Sequence, residues 1–505
     1  MQGRRDQVQA HSFVVGRLVS GLLRTEPDSP STPLRRFVVG SVAGVFLGAV
    51  VVAGFGIFGL FVPGGAKAWS EPKTLVVEKE TGARYVFVGG ELRPVLNYTS
   101  ARLILGGEPK IARVSRASLK GVPHGMPIGI EGAPDYLPDL SRLDGRHWQV
   151  CSTLRPDVSG TGRPFVTLWV GAKPAGRPLG AGEALLVRDP GGALYLAWNG
   201  RRWKVPNAAT LDALGYSVVP QRLVGWAWIS ALPAGNDLVA PDVPGRGQKG
   251  PVVGGRPTVV GQVLKANTVA SGTGDSQYYL VRPDGLSPLT ATGAALLLAS
   301  PETRKAYPGA TVEALPVAPE AITSAPQARS SSVNPQLPAS APKPADVNGG
   351  QVPCLQLAMD AGNGVSVQVA VGSQPPAAGS AGPATPQGLA AAVGDPRLAN
   401  QVMVEPGTGL LIRDQPAPGV TDGTLHLLVD CGMQYPLPSG EVAKTLGYDK
   451  VDPTPVPGAV LALLPAGQPL DPVAAHNTVW GQAGPPRPAS ALGVPASSSS
   501  GPAAR

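Results

Sequence analysis

The chain has little charge, few aromatic residues and few of the side chains that enzymes use. Of its 505 residues, 15% are charged and 5% are aromatic, with three cysteines and five histidines. The histidines are isolated, and neither H-E-x-x-H nor C-x-x-C occurs, so no zinc site is predicted. The G-x-S-x-G nucleophile elbow and the G-x-x-x-x-G-K-[ST] phosphate loop are also missing from the sequence. No catalytic, cofactor or metal residue is therefore assigned.

Two weaker patterns point to no site. Residues 245–250 read GRGQKG and match G-x-G-x-x-G by letters, but they lie in a Pro-rich loop instead of a strand-to-helix turn. Asp135, Asp139 and Asp144 cluster without the spacing of a calcium loop, so we interpret them as solvated loop acids. The net charge of +8 comes without a run of five cations, which disfavours a nucleic-acid surface.

One long apolar stretch, residues 37–62, predicts a transmembrane helix. Its 26 residues carry no charge, and about 20 apolar residues are enough to cross a bilayer. Six arginines precede it, whereas Lys67 is the first cation after it. The positive-inside bias therefore predicts a single-pass plasma-membrane protein with a cytoplasmic N-terminus and an extracytoplasmic C-terminal region. A cleaved signal peptide is the alternative, although its apolar region is usually only about 7 to 15 residues long.

Residues 1–36 are interpreted as a cytoplasmic amphipathic helix with a basic segment. Val8, Val15, Leu18 and Leu22 recur at steps of seven, three and four residues, which is typical of one helix face. One interpretation is a helix that lies on the inner leaflet, with its arginines near anionic lipid. The other is a helix that docks to a partner through these four residues.

Three cysteines, Cys151, Cys354 and Cys431, predict one disulfide and one spare thiol in an oxidising compartment. Cys151 lies in the strand-like HWQVCSTL and Cys354 in the strand-like QVPCLQLAM, whereas Cys431 lies in a turn. We favour a Cys151–Cys354 bond, with two unpaired buried thiols as the alternative. Closing so long a loop would restrict the unfolded chain by about 5 kcal/mol in the entropy model.

Glycine and proline are abundant, at 66 and 56 residues, and predict short elements joined by many turns. Four segments share one pattern: a β-rich run, a turn glycine, a Pro, and a short helix opened by a capping residue such as Asn207 or Ser439. These four predicted hairpin-helix repeats are centred on Gly90, Gly200, Gly285 and Gly432.

Strand-like stretches between the repeats suggest a central β-domain, which a 151–354 disulfide would cross-link. They are residues 165–172, 257–266, 366–372 and 407–414. The predicted fold is therefore a single transmembrane helix plus an extracytoplasmic β-rich α+β region, with four repeats around a central β-domain.

The predicted boundaries follow from this pattern and from composition, since Pro-, Ser- and Gly-rich stretches cannot bury a core. They are 1–36 helix and basic segment; 37–62 span; 63–82 linker; repeats 83–140, 191–241, 276–323 and 421–475; central-domain parts 141–190, 252–270 and 351–415 with a flexible loop 372–388; disordered linker 324–350; and disordered tail 484–505.

Several motifs of the chain are specific when they are taken together. They are RRDQVQAHSFVVGR (4–17), a span followed by Pro-Gly-Gly and Trp69, KGVPHGMPIGIEGAPDYLP (120–138), the repeated hairpins, and LLPAGQPLDP (463–472). With these motifs the chain resembles the EccB family, the single-pass membrane component of type VII (ESX-type) secretion systems. Cys431 departs from the pattern, because the other repeats have Gly89, Asn199 or Asp284 there.

The resemblance implies an assembly role. Such proteins form a multimeric membrane core with an EccC-type motor ATPase, EccD and EccE, and export WXG100-type proteins. The resemblance also implies self-association through the extracytoplasmic domain, repeat modules around a central β-domain, and a disulfide at Cys151 and Cys354. Because the first helix carries the most family-like motif, we favour docking at Val8, Val15, Leu18 and Leu22.

Two other functions remain open at this point. One is an extracytoplasmic binding module for cell wall or exported protein. The other is a nucleotide hydrolase, because some members of the family are called ATPases, although no residue here supports that activity.

Overall fold

The computed structural model describes residues 3–24, 33–61, 68–141, 145–156, 160, 162–267, 276–329, 337–360, 364–373, 395–417, 419–420 and 422–479. The chain divides into two compact units. The first consists of Met1–Leu92 with Lys110–His124, and the second of Arg93–Pro109 with Gly125–Arg505. The division runs through the segment 83–140, which we predicted as one repeat.

Two long helices precede a series of short ones. The short helices α3 and α4 follow a capping asparagine, Asn97 or Asn207, whose side chain accepts a backbone N–H, and each ends at a left-handed glycine. Ser439 precedes α8 but makes no such side-chain bond. The described helices are α1 (Arg4–Arg24), α2 (Pro33–Phe61), α3 (Tyr98–Leu105), α4 (Ala208–Leu214), α5 (Trp226–Ala231), α6 (Ala291–Ala299), α7 (Pro319–Ser324), α8 (Gly440–Thr445), α9 (Gly458–Leu461) and α10 (Pro472–Ala475).

The strands are also short, as a chain with so many turn residues predicts. In the described residues they are β1 (Thr74–Glu78), β2 (Arg84–Val88), β3 (Glu91–Pro94), β4 (Lys110–Val114), β5 (His147–Pro156), β6 (Gly162–Val170), β7 (Arg177–Pro178), β8 (Glu183–Arg188), β9 (Leu194–Trp198), β10 (Arg201–Val205), β11 (Arg222–Leu223), β12 (Lys249–Val253), β13 (Arg256–Val259), β14 (Val263–Asn267), β15 (Ser276–Arg282), β16 (Gly285–Leu289), β17 (Leu315–Val317), β18 (Lys343–Pro344), β19 (Val352–Asp360), β20 (Gly364–Gly372), β21 (Gln401–Met403), β22 (Gly409–Gln415), β23 (Leu425–Val429), β24 (Gln434–Leu437) and β25 (Thr454–Pro457).

Four sheets have the same strand order. They run β3-β2-β1-β4, β10-β9-β8-β11, β16-β15-β14-β17 and β24-β23-β22-β25, and β18 adds a fifth strand to the second sheet beside β8. We refer to the four strands that these sheets share in order as the four-stranded sheets. In each sheet the first strand along the chain pairs antiparallel with the second and parallel with the fourth. The parallel partner arrives after a helix, which is the usual way to return the chain to a parallel position.

A six-stranded sheet, in the order β21-β6-β5-β19-β20-β7, lies in the second unit. Its two middle strands are antiparallel, with Cys354 directly opposite Cys151. Each middle strand also forms a hairpin with the strand that follows it, β5 with β6 and β19 with β20. Pairing between strands so far apart in sequence joins two distant parts of the chain in one sheet.

One face of this central sheet carries the largest core of the second unit. Trp148, Leu168 and Leu355 on the sheet pack with Trp228 of α5 and Leu461 of α9. Both helices follow the fourth strand of a four-stranded sheet, so two of those sheets share the same core. At about 25 cal/mol per Å² of apolar area removed from water, this burial is the main favourable contribution to folding of this region.

Helices of the second unit pack in pairs. Leu103 of α3 is in one cluster with Val442 of α8, and Leu211 of α4 is in another with Leu296 of α6. The side chain of Arg102 also donates from Nε to the carbonyl of Thr445 at 3.1 Å. In the first unit, a separate core forms around Val76, Leu92, Val114 and Leu119.

Two predictions of strand partners were wrong. The predicted linker 63–82 contains β1, which pairs with both β2 and β4 and is largely buried. Strands β8, β14 and β22, which we assigned to the central-domain parts 141–190, 252–270 and 351–415, pair instead with the hairpins that follow them. The reason is physical: a two-stranded hairpin is marginally stable alone, and a third strand gives it a face to bury.

The linker 324–350 was also predicted wrongly as wholly disordered. Its described part, 324–329 and 337–350, includes β18, which pairs with β8, and Leu337, which is buried in a core cluster. A Pro-rich segment can do this in extended form, because its carbonyls still accept hydrogen bonds, as Pro342 does from the hydroxyl of Tyr216. Most of the predicted loop 372–388 and all of the tail 484–505 lie outside the described residues.

Replacing Gly200 by Ala should destabilise the protein markedly. Gly200 forms the β9–β10 turn with φ at 68°, and a Cβ there would overlap the carbonyl oxygen of Val367 on β20. We expect a loss of about 1–2 kcal/mol from the left-handed conformation and about 1–3 kcal/mol from the overlap. The measurement is the urea midpoint of the detergent-purified chain, followed by circular dichroism.

Gly192→Ala is the matched control. Gly192 also has a positive φ, at 89°, but a Cβ at this position meets nothing within 4 Å. Equal losses for the two variants would mean that the close approach of the turn to the central sheet contributes nothing.

Candidate assembly interface

The first helix exposes an apolar face. Val8, Val15, Leu18 and Leu22 lie on α1 with 67%, 41%, 61% and 83% of their surface exposed. Asp6 lies in the first turn, where a negative charge is favourable. The structure therefore displays the four predicted docking residues on one uncovered helix, and docking stays a prediction.

The second helix, α2, begins at Pro33, four residues before the predicted span 37–62. Its segment Phe37–Ile57 is long and apolar enough to cross a membrane, and none of it is buried inside the protein. By its length and hydropathy this helix is a candidate membrane span.

The centre of the six-stranded sheet contains the expected disulfide. Cys151 and Cys354, 203 residues apart in sequence, are bonded and fully buried beside Trp169, Ala370 and Met403. Cys431 is a free, exposed cysteine. The disulfide therefore joins two distant hairpins of the chain at the strand pair where they meet.

Two glutamines fix a loop across the disulfide face of the sheet. The buried side chain of Gln149 donates to the carbonyl of Ala175 at 2.9 Å and accepts its N–H at 2.8 Å. Gln356 of β19 donates to the same carbonyl at 3.1 Å. This satisfies buried amides that would be costly unpaired, and it links β5 to β19 a second time.

Buried tyrosines connect segments that are distant in sequence. Tyr435 donates to the carbonyl of Gly132 at 2.9 Å, and Tyr448 to the carbonyl of Pro138 at 3.0 Å. Burial raises the pKa of Tyr435 to about 12 and that of Tyr448 further still, so both stay neutral donors at physiological pH. They attach the segment 125–138, part of a motif already noted in the sequence, to the fourth sheet. Sequence reasoning missed this structural role, because nothing near the motif indicates its distant partners.

No group of three His, Cys, Asp or Glu side chains that could hold a metal ion occurs among the described residues. Burial lowers the pKa of His426, and Asp414 on the neighbouring strand opposes that shift only in part.

Removing the disulfide should destabilise the chain strongly. For Cys151→Ser combined with Cys354→Ser, we expect a loss of up to about 5 kcal/mol in the free energy of unfolding, because the unfolded chain regains the freedom of a long loop. Urea unfolding in detergent, monitored by tryptophan fluorescence, measures this.

Cys431→Ser serves as the control and should leave the urea midpoint nearly unchanged, since Cys431 is free and exposed. A wild-type chain that keeps its midpoint after full reduction would contradict a stabilising role for the bond.

Comparison with known proteins gives one consistent result. A family model described as "Type VII secretion system ESX-1, transport TM domain B" matches residues 2–479. The "ESX-3 secretion system ATPase EccB3" of Mycolicibacterium smegmatis is 30% identical over 498 residues, covering 94% of this chain and 91% of that protein. The "ESX-1 secretion system ATPase EccB1" of Mycobacterium tuberculosis is 27% identical over 506 residues, covering 97% and 98%.

Solved structures are similar over comparable lengths. A chain in "Structure of an intact ESX-5 inner membrane complex" matches with a TM-score of 0.62 and 25% identity, over 95% of this chain and 96% of that one. A chain in "Structure of EccB3 dimer from the ESX-3 core complex" matches with a TM-score of 0.61 and 27% identity, over 80% and 100%.

Proposed function

The chain belongs to the EccB family of type VII secretion membrane proteins, and from this membership we propose that it is a structural subunit of an ESX-type secretion complex. The observation that carries the proposal is the extent of the match. It runs through the N-terminal helix, the span and the outer region, and a chain of an intact ESX-5 inner membrane complex is similar over 95% of this one. In this role the chain anchors and oligomerises the extracytoplasmic part of the channel.

The partners follow from the same membership. They are an EccC-type motor ATPase, EccD and EccE in the membrane, further copies of this chain on the outer side, and WXG100-type proteins as export cargo. One similar structure is titled as an EccB3 dimer, which supports self-association. The relatives carry the word ATPase in their names, but this sequence has no phosphate-binding loop. We therefore assign ATP hydrolysis to the motor partner.

We also infer that the four four-stranded sheets are copies of one repeat that supports this scaffold. The common strand order and the parallel fourth strand favour the inference. Two of the copies contribute their following helices, α5 and α9, to the core on the central sheet. A chain built of repeats can present several similar surfaces to neighbouring subunits.

The orientation we propose has α1 in the cytoplasm and the sheets outside. If so, a cysteine introduced at Ser12 should stay unlabelled by a membrane-impermeant maleimide in intact cells. A cysteine at Ser340, which is exposed in the described part of 337–350, should be labelled. Labelling of both cysteines is measured in a Cys431→Ser background. Labelling at position 12 alone would mean that the chain has the opposite orientation.

Docking through α1 is the sharpest test of the subunit role. In Val15→Asp combined with Leu22→Asp, two charges enter the apolar face, and burying them in an interface is costly. We expect the assembled complex to dissociate while the span still inserts, as native gels of detergent extracts would reveal.

The control is Gln9→Asp combined with Phe13→Asp, which adds the same charge on the other side of α1 from the four docking residues. If the Val15/Leu22 variant runs at the size of the intact complex, at normal expression, α1 does not dock and instead lies on lipid.

A further inference from the structure

An open cleft of about 760 Å³ lies in the first unit, and none of its lining residues belongs to α1. Its walls are the turn between β1 and β2 and the segment 116–124. Tyr85, Arg116, Lys120 and His124 line it together with apolar side chains such as Leu119 and Val122. The cleft thus combines basic groups with an apolar surface.

Glu78, the acidic residue among those that line the cleft, already has hydrogen-bond partners within the protein. The carboxylate of Glu78 is almost fully buried and accepts from Nε of Arg116 at 2.6 Å and from the hydroxyl of Thr81 at 2.8 Å. The hydroxyl of Tyr85 lies 3.5 Å from the same carboxylate. The nearby Glu80 accepts the backbone N–H of Arg116 at 2.9 Å. With Glu78 paired to Arg116, Lys120 leaves the lining with one net positive charge.

The remaining donors face outward. Arg116 uses only its Nε on Glu78, and 69% of its side chain is exposed, so its two terminal nitrogens are available to a ligand. Lys120 is exposed and makes no ion pair within the described ranges. A guanidinium that presents two parallel N–H groups is well suited to the two oxygens of a phosphate.

The histidine adds a different contact. Nδ1 of His124 lies 2.9 Å from the carbonyl of Val122, which can only accept, so Nδ1 carries the proton. The other ring nitrogen, Nε2, can hydrogen-bond a hydroxyl group next to the phosphate, because a hydroxyl both donates and accepts. Tyr85 supports the ring edge-on, with the centroids 5.7 Å apart.

The chain keeps this cleft near the membrane. Trp69, which packs edge-on against Phe87 of β2, lies eight residues after Phe61, where α2 ends. A fully extended chain covers at most about 3.6 Å per residue, so the tether spans no more than about 29 Å. The headgroups beside the span are therefore within reach, and this step rests on the proposed membrane anchoring.

We propose that the cleft binds a glycerol-phosphate ester, presented by an anionic phospholipid headgroup on the outer side of the membrane. Arg116 and Lys120 bind the phosphate, Nε2 of His124 hydrogen-bonds a glycerol hydroxyl, and Leu119 and Val122 contact the glycerol carbons. Binding here would hold the first unit against the membrane surface.

The test is the rate at which a soluble reagent acetylates Lys120, measured by mass spectrometry on the full chain in nanodiscs. Discs of phosphatidylcholine alone are compared with discs that also contain phosphatidylglycerol. We expect acetylation of Lys120 to slow about fivefold with phosphatidylglycerol, the effect of about 1 kcal/mol per basic contact, while Lys110, outside the cleft, changes little. Co-elution of the chain with the discs measures membrane insertion separately. A chain that fails to insert is thereby distinguished from an inserted chain that does not bind the headgroup.

Two further experiments identify the source of the phosphate ester and the residues that bind it. Protection by millimolar glycerol 3-phosphate in phosphatidylcholine discs would support the ligand chemistry but make a free ester the source. His124→Gln should weaken the protection of Lys120, whereas Arg113→Gln on the exposed β4 should not. Equal acetylation of Lys120 in all discs, or equal slowing at Lys110, would overturn the proposal.

Discussion

The pairing of β5 with β19 is the constraint on which the second unit depends. Two hairpins that lie about two hundred residues apart in the chain meet at this strand pair, where Cys151 and Cys354 are bonded. Each hairpin leads into a four-stranded sheet whose following helix returns to the same core. If the pair separates, both of these sheets lose the surface on which they pack. A disulfide stabilises such a contact because the entropy of closing so long a loop is removed from the unfolded state.

The polar chemistry of the second unit serves the same purpose. Gln149 and Gln356 hold the loop at Ala175 across the disulfide face, and Tyr435 and Tyr448 fasten the segment 125–138 to the fourth sheet. These bonds use neutral side chains and backbone carbonyls, so they do not depend on pH in the physiological range. This fits a chain with few charges and an assembly role, because a scaffold needs fixed surfaces more than titrating groups.

Local sequence signals predicted local structure well. The uncharged stretch 37–62 predicted a helix, and residues 37–61 are helical. Turn glycines such as Gly200 adopt the positive φ that the hairpin pattern requires. The cap at Asn207 also agrees with its pattern. What could not be predicted was the partner of each strand, because a run such as the TLVVE of β1 shows that a strand can form but not where it pairs. The pairing of β18 with β8 and the hydrogen bonds of Tyr435 and Tyr448 were missed for the same reason, because their partners lie far away in sequence.

Native mass spectrometry of the complex, extracted in mild detergent from cells that make this chain, tests the central claim most directly. The account predicts more than one copy of the chain together with other membrane subunits, among them a motor ATPase that accounts for the ATP turnover of the sample. A chain that is released alone, binds no other subunit and hydrolyses ATP by itself would contradict the scaffold role.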